Sequence, residues 1–281
     1  MRQHKLLDKN IILGYILVNV LYIGIIYTSV LSIASVPFSA ILNWNENSAN
    51  LMGLIVSGIA VFLIWRWWFK DEFRGFFGSH TDECNFGKSF VTGIKNGWVM
   101  FLYYAFTMVL TLSFGQITAP TVSMLVLALS AGIGEEIMFR SVAVAYLMRM
   151  IKTNRGVVIM MVFTSVVFGL AHFSNMVAGA GLAITVLQVI GAGCMGMVFC
   201  YAFLKSGNIM ATMLLHGMTD FVCFLDASQT SDAVMIVTKP TIANYIDLAA
   251  TIALLIWVIV RLKKPGELDS IREFWAGKWN R

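Results

Sequence analysis

The sequence predicts an all-α polytopic membrane protein, a bundle of about eight transmembrane helices. Three observations carry that expectation. Hydrophobic residues make up 58% of the 281 residues and charged residues only 12%, about half the charged share that a soluble domain carries. The mean hydropathy is +0.78. The apolar residues also fall in long runs, not in stripes of period 2 or 3.6, and a run of ~18 or more spans the hydrocarbon core as a helix. Backbone groups find no partners in lipid, so each run must satisfy its own hydrogen bonds. The whole chain, 1–281, reads as one integral membrane domain, with no internal repeat, low-complexity tract or linker.

Eight spans follow in order, at roughly 11–36, 51–69, 91–114, 121–148, 157–174, 181–204, 209–225 and 241–260. The first follows a polar, basic N-terminus and is longer than the ~7–15-residue apolar region of a signal peptide, so it is expected to be retained. Basic residues gather in alternate loops: Arg2, Lys5 and Lys9 before the first span, Lys70, Arg74 and Lys88 after the second, Arg149, Lys152 and Arg155 after the fourth, Lys205 after the sixth, and Arg261 to Arg281 in the tail. The opposite loops hold only Lys239. The positive-inside rule then puts both termini in the cytosol, which an even span count also requires, and the plasma membrane is the expected location. The net charge of +5 belongs to this pattern and points to neither nucleic acid nor nucleotide.

Two aromatic–basic stretches are expected at the inner surface. One runs from Trp65 to Phe77. The other is the tail, where Leu268, Ile271, Trp275 and Trp279 recur at helical spacing after the break at Pro265-Gly266, as in an interfacial anchor. Asp247, near the outer end of the last span, reads as interfacial. Cys84, Cys194, Cys200 and Cys223 have no metal-knuckle spacing and predict no disulfide framework. Gly191 to Gly196 fits G-x-G-x-x-G, but it lies inside an apolar helix instead of at a strand-to-helix turn, so its small residues are expected to pack helices. Ala128 with Gly132 and Ser130 with Gly134 have the same spacing.

The chemistry is concentrated in the fourth, fifth and seventh spans, which hold Glu135, Glu136, Arg140, His172, His216 and Asp220. Each ionisable group at the bilayer centre costs ~2.5–3.5 kcal/mol, so the carboxylates and Arg140 together would cost ~10 kcal/mol or more if left facing lipid. They must face one another or a wet cavity. Glu136 and Arg140, Phe168 and His172, and His216 and Asp220 are each i,i+4 pairs, so each helix turns one stripe inward. At ~1.5 Å per residue, Glu135, His172 and Asp220 all lie roughly 20–22 Å from the basic end of their spans, and His216 about 16 Å. Carboxylates and imidazoles at one depth suit hydrolysis: a buried carboxylate activates water and an imidazole shuttles a proton or donates to an oxyanion. The same four side chains, Glu135, His172, His216 and Asp220, could also ligate zinc.

These residues resemble a known family. Glu135-Glu136-Ile137-Met138-Phe139-Arg140 matches EExxxR, Phe168 to His172 matches FxxxH, and His216 to Asp220 matches HxxxN or HxxxD, in order on separate spans. The set is similar to the CPBP family (CAAX proteases and bacteriocin-processing enzymes), which includes type II CAAX prenyl endopeptidases, and the likeness covers roughly 120–225. The resemblance implies an eight-helix intramembrane protease acting on a membrane-presented peptide or protein. It implies that Glu135 with His172 activates water, that His216 and Asp220 line the oxyanion side, and that Glu136, Arg140 and Phe168 support the site. The eukaryotic branch has Asn where this chain has Asp220, and an ionised Asp cannot donate to an oxyanion, so Asp220 is expected either to be protonated beside Glu135 or to orient His216 instead. The family's water-activating glutamate favours a metal-free site without a cofactor over a zinc site. Two other classes fit the composition: a non-catalytic scaffold regulating a membrane partner, and a small transporter, for which an inverted repeat would be expected.

Overall fold

In the computed structural model, residues 10–20, 36–43, a discontinuous set between 52 and 67, 86–115, 117–177, 179–226 and 239–279 are described. Among them the fold is all-helical, with one isolated bridge between Ile117 and Asp226. The helices are α1 (Ile11–Val20), α2 (Phe86–Asn96), α3 (Val99–Phe114), α4 (Val122–Glu136), α5 (Val142–Met150), α6 (Asn154–Ala171), α7 (Leu182–Ser206), α8 (Ile209–Phe224), α9 (Ile242–Leu262) and α10 (Glu267–Trp279). Three described helical stretches are long and apolar enough to cross a membrane: Asn154–Met176, Leu182–Ser206 and Ile242–Leu262. The pair α2–α3 makes a fourth. The protein is an integral membrane protein. Most of the first two predicted spans, and the stretch from Trp65 to Phe77 apart from Arg66 and Trp67, lie outside the described residues.

The helices begin where capping chemistry allows. Thr121 accepts from the Met124 amide, Thr153 from the Gly156 amide and Asn208 from the Met210 amide, each satisfying an orphan N–H of a first turn. Gly207, at φ +61°, ends α7 in the left-handed conformation that glycine adopts at least cost, and α8 starts at once.

Two predicted spans prove to be discontinuous. The third is bent by 53° between α2 and α3, at Gly97-Trp98, where glycine weakens the helix. The fourth is interrupted by a π-helical turn, Ile137–Ser141, which follows directly on Glu136. No Pro or Gly marks that position, so hydropathy could not reveal it.

Small residues decide which helices touch. A side chain on Gly132 would come within 2.5 Å of the Gly217 amide nitrogen and 2.9 Å of the Met213 carbonyl, so α4 and α8 cross almost backbone to backbone. Gly169 and Gly193 do the same for α6 and α7: a side chain on Gly169 would meet the Gly193 backbone at 3.2 Å. The glycine run of α7 is therefore a packing surface, as its spacing predicts.

The tail packs against the bundle. Ile271 and Trp275 are 1% and 0% exposed. Gly266, at φ +75°, turns α10 back beneath α6 and α7. There Trp275 donates to the Leu204 carbonyl at 2.9 Å and its ring meets Phe203 edge-on. Asn154 donates to Asp269, and Lys205 pairs with Glu267 at 3.1 Å. Asp247 accepts from the Tyr103 hydroxyl at 2.8 Å and ties α9 to α3. Cys194, Cys200 and Cys223 are free thiols.

Candidate active site

The crossing of α4 and α8 at Gly132 and Gly217 brings His216 against the acidic pair. His216 Nδ1 lies 2.9 Å from Glu136 Oε1, so Nδ1 carries a proton and donates to the carboxylate. The other nitrogen, Nε2, lies 3.7 Å from Glu135 Oε2 and 3.7 Å from Asp220 Oδ2, too far for direct hydrogen bonds. Three carboxylates thus surround one imidazole.

The cluster has a closed and an open side. Glu136 and Arg140 are fully buried and paired at 2.8 Å. Glu135 and Asp220 keep 34% and 26% of their side chains accessible. The adjacent carboxylates on α4 therefore divide the work by direction: Glu136 points into the protein and grips the imidazole, and Glu135 borders accessible space. The π-helical turn follows Glu136 and contains Arg140, and such turns are frequent at functional sites.

Aromatic rings hold this arrangement on all sides. The Arg140 guanidinium sits 3.9 Å from the centre of the Phe168 ring, an attractive cation–π placement. Phe168 also meets His172 edge-on at 5.2 Å and His216 at 5.6 Å, so it separates the two imidazoles and packs against both. His172 Nδ1 lies 3.1 Å from the Phe168 carbonyl. A carbonyl only accepts, so Nδ1 is the donor in that contact. Among the described residues no hydrogen bond joins His172 to Glu135, Glu136 or Asp220. The structure brings six of the seven sequence-predicted residues into one contiguous cluster and attaches His172 to it through Phe168.

Two residues of α7 escaped the sequence reading. Phe199 stacks on His216 with ring centres 5.0 Å apart and planes at 19°. A side chain on Gly196 would come within 2.8 Å of Arg140 Nη2 and 3.1 Å of the Phe168 ring, so this glycine makes the seat for the guanidinium. Phe199 carries no signal in a sequence where aromatic residues are 13% of the chain; only its neighbour across the helix interface makes it meaningful. Among the described residues no three His, Cys, Asp or Glu side chains are grouped closely enough to hold a metal ion.

Fold and site together define an all-helical integral membrane protein with one buried acid–imidazole cluster on α4 and α8, backed by α6 and α7. Residues 116–222, which hold all three motifs, match the family model described as type II CAAX prenyl endopeptidase Rce1-like, and over this stretch the chain is similar to that family of membrane proteases. No curated protein and no solved structure matches the chain.

Proposed function

We propose that the protein is an intramembrane endopeptidase that hydrolyses a peptide bond in a membrane-presented peptide or protein, of the kind cut in CAAX-type, pheromone or bacteriocin processing. The observation that carries this reading is the flanking of His216 Nε2 by Glu135 and Asp220, both 3.7 Å away and both on the accessible side. Catalytic groups in unliganded enzymes often sit this far apart and close up on substrate. Glu135 takes a proton from a water, helped by His172. The hydroxide attacks the scissile carbonyl carbon. The tetrahedral oxyanion is held by His216, protonated at Nε2, and by Asp220 in its protonated form. Glu135 then returns the proton to the leaving amine as the C–N bond breaks. Glu136 and Arg140 do not touch substrate; they fix the imidazole. The contact of Glu136 with Nδ1 supports giving the orienting role to Glu136 and the oxyanion role to Asp220.

The reading includes a site that works without metal, eight membrane spans, cytosolic termini and a plasma-membrane location, supported by the alternation of basic loops. Glu135→Gln in the native host tests the chemistry. With normal membrane levels confirmed, released peptides are compared by mass spectrometry with those of wild type and a deletion strain. Loss of the same cleavage products as in the deletion is expected, with wild-type cleavage unaffected by chelators. Full restoration by the Gln variant would make the protein a non-catalytic scaffold, and inhibition by a chelator that zinc reverses would make the site a metal centre.

A further inference from the structure

A groove of about 710 Å³ runs along α7 between α6 and α9, outside the acid–imidazole cluster. Its floor includes Ser165, Cys194 and Met197, at most 5% exposed, and its rims include Val166, Ile190 and Ile259, 40–50% exposed. It extends along α6 from Val158 to Leu170, a rise of ~18 Å. One leaflet of a bilayer with a ~30 Å hydrocarbon core is ~15 Å deep, so the groove has the length of one leaflet. Lys263 stands at one mouth, where α9 passes into α10, and is the charged residue among those lining it. Its neighbours at that end are engaged: Arg261 donates to Tyr201, and Lys205 pairs with Glu267. Among the described residues Lys263 pairs with no carboxylate.

Such a groove does not stay empty in a membrane. Its lining is apolar, so water gains too few partners there, and an unfilled slot forfeits dispersion contacts along its length. A basic mouth between transmembrane helices selects an anionic headgroup. We propose that the groove is a binding site for an anionic phospholipid, with one acyl chain along α7 and the headgroup phosphate on Lys263. The chain would brace the active site from behind. Ser165 of the floor also borders the Arg140 seat: a side chain on Gly196 would touch Ser165 Cβ at 3.3 Å and Arg140 Nη2 at 2.8 Å.

The test reads lipid, not proteolysis, so it stands apart from the proposed activity. Full-length protein is reconstituted in vesicles of equimolar POPC and POPG, re-extracted, and examined by native mass spectrometry, alongside Lys263→Glu and Ile190→Trp variants of unchanged helicity. The wild type is expected to retain POPG over POPC. Lys263→Glu should lose that preference by about fivefold or more, the ratio one lysine near an anionic surface is worth. Ile190→Trp, which fills the groove, should release both lipids. Equal retention of POPC and POPG by the wild type overturns the proposal. So does POPG retention by Ile190→Trp, which would place the lipid elsewhere, or by Lys263→Glu at the wild-type level. A lipidated peptide bound in place of phospholipid also overturns it.

Discussion

Asp220 is the residue at which two chemistries part. As a protonated donor to the oxyanion it should be replaceable by Asn, whose amide N–H donates in the same direction. Cleavage by Asp220→Asn should therefore stay within about tenfold of wild type, and Asp220→Ala should lose roughly 10²–10³, the worth of one oxyanion donor. Steady-state cleavage of a substrate peptide decides it, because an Asn variant as dead as the Ala variant would make Asp220 a base or an orienter. His216 gives a second test that needs no substrate. Its Nδ1–H bond to Glu136 and its stack on Phe199 are set by neighbours on different helices. In ¹⁵N-histidine spectra, Phe199→Leu should reduce the Nδ1–H population of His216 and leave the ring signals of His172 in place. The stack is worth about 0.5–1.5 kcal/mol, so cleavage should fall roughly two- to tenfold.

The tail helix is held by contacts of a different kind from those inside the bundle. Burial opposes ionisation of Glu267, but hydrogen bonds from Tyr201 and Lys205 outweigh it and keep the carboxyl below its ordinary range. A carboxyl with a depressed folded value stabilises docking above its unfolded value of about 4.3 and ceases to do so as pH falls through the folded one. Acidification from pH 6 into that range should loosen α10 first, seen as a red shift of Trp275 emission while far-UV helicity persists. Trp275→Ala should release the helix at every pH, since a buried Trp→Ala change in a packed core costs about 3–5 kcal/mol. A tail that served only as a surface anchor would show neither effect without a bilayer.

At the scale of the whole molecule the polar residues govern how the helices assemble. Glu136 and Arg140 are fully buried, and a buried pair broken by removing one partner costs about 3–5 kcal/mol. The bundle must close around them in one arrangement, and the α4–α8 glycine contact makes that closure possible. The orientation in the membrane is tested by reporter fusions. Fusions at both termini should report the cytosol, and a fusion in the loop holding Lys239 should report the opposite side. A reporter at either terminus facing outward would undo the cytosolic assignment, and reporters on opposite sides would undo the even number of spans.

The motif residues and the apolar spans could be read from the sequence because both are properties of single residues or segments. Membrane length and the cost of an ionisable group in lipid act on each stretch separately, so Glu135, Glu136, Arg140, His172, His216 and Asp220 announced themselves by residue type. The pairing of those residues could not be read. Glu136, not Asp220, holds His216 Nδ1; the polar-free stretch of α7 supplies Phe199 and Gly196; and Trp275 of the tail is buried against Phe203 and Leu204. Each of these depends on the rotation and crossing of helices distant in sequence. Those are set where backbones meet at Gly132 and Gly217 and at Gly169 and Gly193, and a hydropathy pattern carries no record of which glycine meets which. The sequence by itself determined that the chain enters the membrane and which groups must hide there; only the tertiary structure decided what each group hides against, because close packing selects partners in three dimensions.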